Sequence, residues 1–250
     1  MNWLRSFLYT VFLFLSVPVH ATGVLLLSPF GHRVYYRVAV NWAQVNLWML
    51  RKLCRLDFVI EGLEHVPERP CVLYWKHESV WETMAGALAL PPQTWVVKRE
   101  LMWLPFFGWG LALLKPIAIN RAAGRRAVRQ VISQGQERLK QGLCVVIYPE
   151  GTRVLPGQER RFGVSGAALA KAAGCPILPV AHNAGDFWPR RSLLKRPGTI
   201  RVVIGPPIDT AELAPDEITA RGRAWIDATV DRISPERVKT GSASQRIARA

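Results

Sequence analysis

The sequence predicts an α/β domain, a mixed and largely parallel β-sheet flanked by helices, preceded by an N-terminal membrane-associating helical segment. Three observations predict it. From Asp57 onward, short apolar runs rich in β-branched and aromatic residues alternate with stretches of helical periodicity, the pattern of a sheet covered by helices. A chain of 250 residues, half of them hydrophobic, can bury one substantial core and is too apolar for global disorder. Residues 6–18 form a predominantly apolar run and 24–27 a second, both ahead of the alternating region.

The N-terminal run admits three readings. A secretory signal needs a basic start, for which only Arg5 is present, and a small-residue cleavage site, for which Val19-His20-Ala21 is tolerable. As one continuous helix, residues 6–29 reach about 36 Å, enough to cross a ~30 Å hydrocarbon core. The third reading is a helix broken at Pro18 that dips into one leaflet and returns. Arg5 before the run and Arg33 and Arg37 after it give little charge asymmetry, which weakens a simple crossing. Residues 33–55 place Val34, Val38, Val45, Trp48, Met49 and Leu53 among basic residues and read as a helix lying on the bilayer surface.

In the alternating region, strands are expected at 58–60, 71–75, 95–97, 117–119, 144–147, 177–181 and 200–204. A helix over 125–141 puts Val128, Val131, Ile132, Gly135 and Leu139 on one side, with Gly142 to close it. A second, Ala-rich helix over 165–173 stops at Gly174. Residues 79–90 form a third, opened by Ser79 and ended by Pro91. The organisation is therefore a membrane-associating segment over 1–55, a catalytic domain over 56–233, and a basic, polar, flexible tail over 234–250.

The formal charge of +15 and pI near 10.4 require an acidic partner or surface. Ten Trp residues beside an apolar N-terminus favour an anionic membrane over nucleic acid, because Trp prefers the headgroup interface. Cys54, Cys71, Cys144 and Cys175 show no CxxC and no metal-ligand spacing, so neither a disulfide framework nor a metal site is expected.

Candidate chemistry falls at strand ends, where α/β folds carry it. His77 follows the 71–75 strand, with Glu82 five residues on. A histidine can take a proton from an alcohol, and a carboxylate on its second nitrogen fixes the tautomer and stabilises the imidazolium. Ser79-Val80-Trp81-Glu82 is also a capping box, so Glu82 has a competing structural task, and one carboxylate is not expected to perform both at full strength. Tyr148-Pro149-Glu150-Gly151-Thr152-Arg153 follows the 144–147 strand: Gly151 permits a sharp turn, backbone N–H groups can face an anion, and Arg153 can bind phosphate bidentately. Arg121 follows the 117–119 strand. Read alone, each of these has a bland alternative: a surface turn or a solvated arginine. The stretch Gly163-Val164-Ser165-Gly166-Ala167 approaches a serine nucleophile elbow, but Ala167 replaces its last glycine and no strand leads into it.

Taken in order, His77…Glu82, Ile119-Asn120-Arg121, Pro149-Glu150-Gly151-Thr152-Arg153 and the Pro-bracketed strand over 176–180 resemble the four blocks of the 1-acyl-sn-glycerol-3-phosphate acyltransferases of the glycerolipid acyltransferase superfamily. The resemblance runs from about residue 57 to 207. It departs at Glu82 and Asn120, where the family carries Asp. It implies a glycerol-3-phosphate acyltransferase-like fold and no cofactor beyond acyl-CoA or acyl-carrier protein as co-substrate. His77, oriented by Glu82, is then the base that deprotonates the sn-2 hydroxyl of lysophosphatidic acid. Arg121 and Arg153, with Glu150, Gly151 and Thr152, form the phosphate site, and phosphatidic acid is the product. A thioester donor made in the cytosol places the enzyme at the inner (cytoplasmic) membrane with its catalytic domain facing the cytoplasm. Two other readings compete: acylation of another lysolipid such as a lyso-ornithine lipid, and non-catalytic lipid binding, which predicts no transfer and no dependence on His77.

Overall fold

The computed structural model describes residues 1–234. All seven expected strands are present: β1 (Leu56–Glu61), β2 (Val72–Trp75), β3 (Gln93–Lys98), β4 (Ile117–Ile119), β5 (Cys144–Ile147), β6 (Ile177–His182) and β7 (Gly198–Ile204). They form one sheet in the order β1-β7-β6-β2-β5-β3-β4. Strands β6, β2, β5, β3 and β4 run parallel, β7 lies antiparallel to β6, and β1 pairs parallel with β7, so the sheet is mixed and largely parallel as expected.

The helices are α1 (Asn2–Leu26), α2 (His32–Cys54), α3 (Trp81–Ala89), α4 (Phe107–Leu113), α5 (Arg125–Lys140), α6 (Ser165–Ala173), α7 (Ala184–Phe187) and α8 (Pro215–Ile233). The strand pleat sends alternate residues to opposite layers. Leu73 and Trp75 of β2 join Val146, Leu178 and Val180 in the core on one face, which α2 and α3 complete with Leu47, Leu50, Trp81 and Met84. Val72 and Tyr74 point the other way, into a core with Val145, Ile147 and Ile177 that α5, α6 and α8 cover with Val131, Leu169, Ile218 and Ile226. A smaller cluster of Val24, Tyr35, Leu111 and Leu114 joins the first two helices to α4.

Two points of the N-terminal segment are decided by the structure. First, of the readings left open, the helix broken at Pro18 is not the one found: α1 runs through to Leu26, and the chain turns back over Ser28–Phe30 and Gly31. The ring costs one backbone hydrogen bond. Contacts on both sides of it hold the helix: near its start the buried Lys195 donates to the Ser6 and Leu193 carbonyls and lies 4.7 Å over the Trp188 ring, and near its end Ala21 abuts Gly110 of α4. Second, α2 does not simply lie on a surface; Ala43, Leu47 and Leu50 are in the main core, and only part of the expected apolar set, Val34 and Trp48, faces out. The first helix is inverted: Ser6, Tyr9 and Ser16 are buried while Phe7, Phe14, Leu15 and Val19 are exposed. Asn46 and Trp42 of α2 donate to the Ser16 hydroxyl at 3.2 and 2.9 Å, so the polar groups between the helices satisfy one another.

All four cysteines are free. The expected tail lies outside the described residues apart from Ser234, which is buried and donates its hydroxyl to Asp186 at 2.9 Å. The serine-elbow stretch is the start of α6, where Gly166 allows the helix to sit on the buried Tyr74 ring; a Cβ there meets Tyr74 Cε1 at 2.3 Å. Replacing Gly166 by Ala gains about 1 kcal/mol of helix propensity but overpacks the core by about 1–3 kcal/mol. The expected outcome is a thermal midpoint lower by a few °C, measured by near-UV circular dichroism.

Candidate active site

The parallel block brings the carboxyl ends of β6, β2, β5, β3 and β4 to one edge. His77 leaves β2, Arg121 leaves β4, and Glu150 to Arg153 leave β5, so the three separate loops do meet. Backbone ties the loops after β2 and β5 together, with Val154 N–H donating to the His77 carbonyl at 2.8 Å, and closes the β5–α6 loop on itself, with Gly163 N–H donating to the Pro149 carbonyl at 2.7 Å.

His77 and Glu82 form the expected pair. The His77 ring donates from Nδ1 to Glu82 Oε1 at 2.8 Å, which leaves Nε2 as the basic nitrogen. The same carboxylate accepts the N–H groups of Glu78 at 3.0 Å and Ser79 at 2.9 Å, while Ser79 Oγ accepts the N–H of Trp81 at 3.2 Å. Half of the expected capping box is present: Glu82 takes the Ser79 N–H, but the Ser79 hydroxyl accepts from Trp81 rather than from Glu82, and Val80 is the residue that precedes α3, so the carboxylate is shared between that backbone contact and the histidine. This corrects the expectation that the two tasks compete. The His77 ring and both N–H groups converge on Oε1, and the Ser79 N–H also reaches Oε2 at 3.0 Å, so the one carboxylate makes both sets of contacts. Burial of Glu82, which is 1% exposed, pushes its pKa up; the hydrogen bond from His77 and the Ser79 N–H outweigh that, and the net direction is down.

His182 lies behind the pair with its Nε2 at 4.0 Å from Glu82 Oε2. Its Nε2–H donates to the Lys76 carbonyl at 2.8 Å and Nδ1 accepts from Ala184 N–H at 3.1 Å, so both nitrogens are occupied. Burial lowers its pKa, which keeps it neutral and structural. Tyr148 stacks on the face of the His77 ring, centroid to centroid at 3.9 Å with planes 19° apart. The imidazole is thus fixed at its edge by a carboxylate and on its face by an aromatic ring.

The Pro-Glu-Gly-Thr-Arg turn is built as the sequence implied, with Gly151 at φ +70° and its N–H on the Tyr148 carbonyl at 2.9 Å. Glu150 turns inward: its Oε1 accepts from the buried Lys76 Nζ at 2.7 Å and from His77 N–H at 3.4 Å. Of the proposed phosphate group, Arg121, Thr152 and Arg153 line a cavity with His77, whereas Glu150 and Gly151 do not. Arg121 Nη1 donates to the Gly151 carbonyl, fixing one guanidinium against the turn that carries the other. Asn120 accepts the Ala122 N–H with its side chain at 3.0 Å, so at this position the amide caps the turn that presents Arg121.

The cavity holds about 580 Å³ and has two characters. Its exposed lining, the mouth, is cationic, with Lys98, Arg121 and Arg191 beside the half-buried Arg153 and Arg190; its buried lining is apolar, with Val24, Ala43, Leu111 and Leu114, and the buried His77 also lies on its wall. Sequence reasoning missed Lys98, Arg190 and Arg191. Lys98 ends β3, and the two arginines follow β6 in a Trp-Pro-Arg-Arg stretch whose approach to the mouth is set only by the fold. Arg190 Nη1 donates to the Arg153 carbonyl at 2.5 Å. A cationic mouth above an apolar shaft suits a molecule with an anionic head and a long aliphatic chain, with the basic nitrogen at the junction.

A family model described as "Acyltransferase" matches residues 57–183. The 1-acyl-sn-glycerol-3-phosphate acyltransferase of Pseudomonas aeruginosa is 44% identical over 237 residues, covering 93% of this chain and 92% of that protein. The human 1-acyl-sn-glycerol-3-phosphate acyltransferase beta is 30% identical over 208 residues, or 82% of this chain and 74% of its own. In fold, the chain resembles the crystal structure of the 1-acyl-sn-glycerophosphate (LPA) acyltransferase from Thermotoga maritima, with a TM-score of 0.78 at 22% identity over 93% of this chain and 97% of that one.

Because Glu82 both orients His77 and caps α3, Glu82→Gln is expected to lower kcat by roughly 100-fold or more through loss of the fixed tautomer and to cost about 1–2 kcal/mol of stability. A folded-state pKa below the ordinary carboxylate value of 4.5 means that the stabilisation is complete above pH 4.5 and lost as the pH falls further. Denaturant midpoints of wild type and variant should therefore converge on acidification, and a midpoint difference independent of pH would show that the charge is not what Glu82 contributes.

Proposed function

The chain belongs to the acyltransferase family, and on that premise we propose that it transfers a fatty acyl group from acyl-CoA or acyl-carrier protein to the sn-2 hydroxyl of lysophosphatidic acid, giving phosphatidic acid. The observation that carries this reading is the position of His77 at the junction between a cationic mouth and an apolar shaft. In it, Arg121 and Arg153 take the acceptor phosphate at the mouth, Thr152 adds a polar contact, and Glu150 and Gly151 shape the turn that holds them. His77 Nε2 removes the sn-2 proton; the acceptor oxygen attacks the thioester carbonyl, and the tetrahedral intermediate collapses with expulsion of the thiolate, which takes the proton from the imidazolium. The new ester retains the acyl group and the free thiol leaves. Glu82 stabilises the imidazolium between the two transfers.

The source of oxyanion stabilisation narrows. The N–H groups of Glu78 and Ser79 are occupied by Glu82, that of His77 by Glu150, and that of Gly151 by Tyr148. Among the cavity-lining groups this leaves the Val80 N–H, the Thr152–Arg153 stretch and the neighbouring guanidinium groups for the developing charge.

The inverted first helix supports action at a membrane. An apolar stripe facing out along its length, with serines and a tyrosine facing in, matches a helix that packs on protein with one side and on lipid with the other. A net charge of +15 favours anionic lipid, and a cytosolic thioester donor favours the cytoplasmic face of the inner membrane.

Acyl transfer from radiolabelled oleoyl-CoA and from oleoyl-acyl-carrier protein to lysophosphatidic acid, in detergent micelles, tests the reading. Wild type is expected to form phosphatidic acid, and folded His77→Ala to lose at least 100-fold in turnover. Full turnover in the variant overturns the assignment of the base; no product from wild type with either donor overturns the substrate.

A further inference from the structure

The loop between β3 and α4, with the first turn of α4, carries a feature the acyl-transfer reading leaves unused. Trp103, Leu104, Phe106 and Trp109 are 69%, 48%, 44% and 50% exposed, four large apolar side chains within seven residues. Their neighbours face the opposite way: Leu101, Phe107, Gly110 and Leu111 line the cavity. The segment is thus the wall of the shaft on one side and an open aromatic surface on the other.

Its backbone is built to hold that surface. Phe106 sits at φ +61°, ψ −61°, and the Phe107 N–H donates to the Pro105 carbonyl at 2.7 Å, which is the strained form of the γ-turn. A phenylalanine in the left-handed half of the map is costly, and strain of this kind gathers at functional segments. Gly108 follows, where a Cβ would stand 2.4 Å from the Met102 carbonyl oxygen, so the turn closes tightly. The strained Phe106 ring gains no place in the interior; it leans on Trp109 at 5.3 Å, in the open.

What covers this surface is indicated by its surroundings. Gly110 abuts Ala21 of α1, so the aromatic loop adjoins the helix whose outward face is Phe14, Leu15 and Val19. Lys98 and Arg99, both exposed, stand just ahead of it with one acidic residue, Glu100, after them. Trp with nearby cations is the composition that seats at the boundary of headgroups and acyl chains on an anionic leaflet. We propose that residues 103–109 are a second membrane-docking element, separate from the first helix, which seats its aromatic side chains in an anionic bilayer and holds the shaft wall against the lipid. The proposal rests on the reading of the acceptor as a membrane lipid. It gives the strained turn a purpose: the loop stays prominent without lipid, and a lipid acceptor reaches the shaft with little exposure to water.

The test uses the full chain and vesicles of phosphatidylethanolamine with phosphatidylglycerol. Flotation compares wild type, Trp103→Ser alone, and the triple variant Trp103→Ser, Phe106→Ser, Trp109→Ser; transfer to lysophosphatidic acid is then followed both in the vesicles and in detergent micelles. The expected result is vesicle binding weakened about tenfold in the triple variant and partly in the single one. Transfer on vesicles should fall in parallel while micellar transfer stays within about twofold. Equal flotation of all three proteins overturns the proposal, leaving docking to the first helix. So does a wild type that is dimeric in solution, a monomeric triple variant and unchanged flotation, which assign the patch to a second copy. Parallel loss of micellar transfer with unchanged flotation assigns the segment to the shaft wall alone. Absence of transfer by wild type in both settings refutes the substrate reading and leaves flotation to decide the docking on its own.

Discussion

The reactive edge of the sheet depends on one buried carboxylate. A charge as enclosed as that of Glu82 is tolerated only when its lone pairs are met from several directions. Here two backbone N–H groups and an imidazole N–H meet them. The requirement works in both directions: the carboxylate needs those donors, and in taking them it fixes the start of α3, the path of residues 77–79 and the ring of His77. Orientation of the base is thereby part of the fold's own electrostatic closure. Glu82 reaches from the first turn of α3 back to His77, two residues beyond the end of β2.

A second buried network locks the neighbouring loop to this one. Lys76 and Glu150 are both shielded from solvent and lie 2.7 Å apart, with Glu78 at 3.7 Å from the same ammonium group. Opposite charges placed in the interior are stable only as partners, so the loops after β2 and β5 cannot separate without exposing an unpaired charge. That coupling explains why the glutamate of the Pro-Glu-Gly-Thr-Arg turn points into the protein. It anchors the turn, and its absence from the cavity leaves the mouth wholly cationic, as an anionic substrate requires.

Much of this was legible in the sequence, for identifiable reasons. The strands were found because each is a short run of β-branched and aromatic residues bounded by turn residues, and the gathering of His77, Arg121 and Arg153 followed from their places after parallel strands whose carboxyl ends share one edge, β2 beside β5 and β4 on the far side of β3. Arg190, Arg191 and Lys98 were not found, because an arginine after a strand looks like any solvated arginine until the strand order is known. The long helix α8, which covers one face of the sheet, was not separated from the polar sequence around it, although Pro215 with Asp216 and Glu217 marks its start. Pro18 left the course of the first helix open for a different reason: local propensity breaks a helix there, but packing against α2, α4 and the Lys195 segment outweighs a single lost hydrogen bond.

The central claim is that Glu82 holds His77 in the tautomer with the proton on Nδ1, leaving Nε2 basic at the cavity. Nitrogen-15 resonances of ring-labelled histidine, assigned to His77 by its loss in His77→Ala, test it most directly at neutral pH. The account predicts a protonated Nδ1 and an unprotonated, imine-type Nε2 in wild type, with the two tautomers mixed in Glu82→Gln. An Nε2-protonated ring in the wild type would contradict it, since that nitrogen could not then accept the proton of an alcohol.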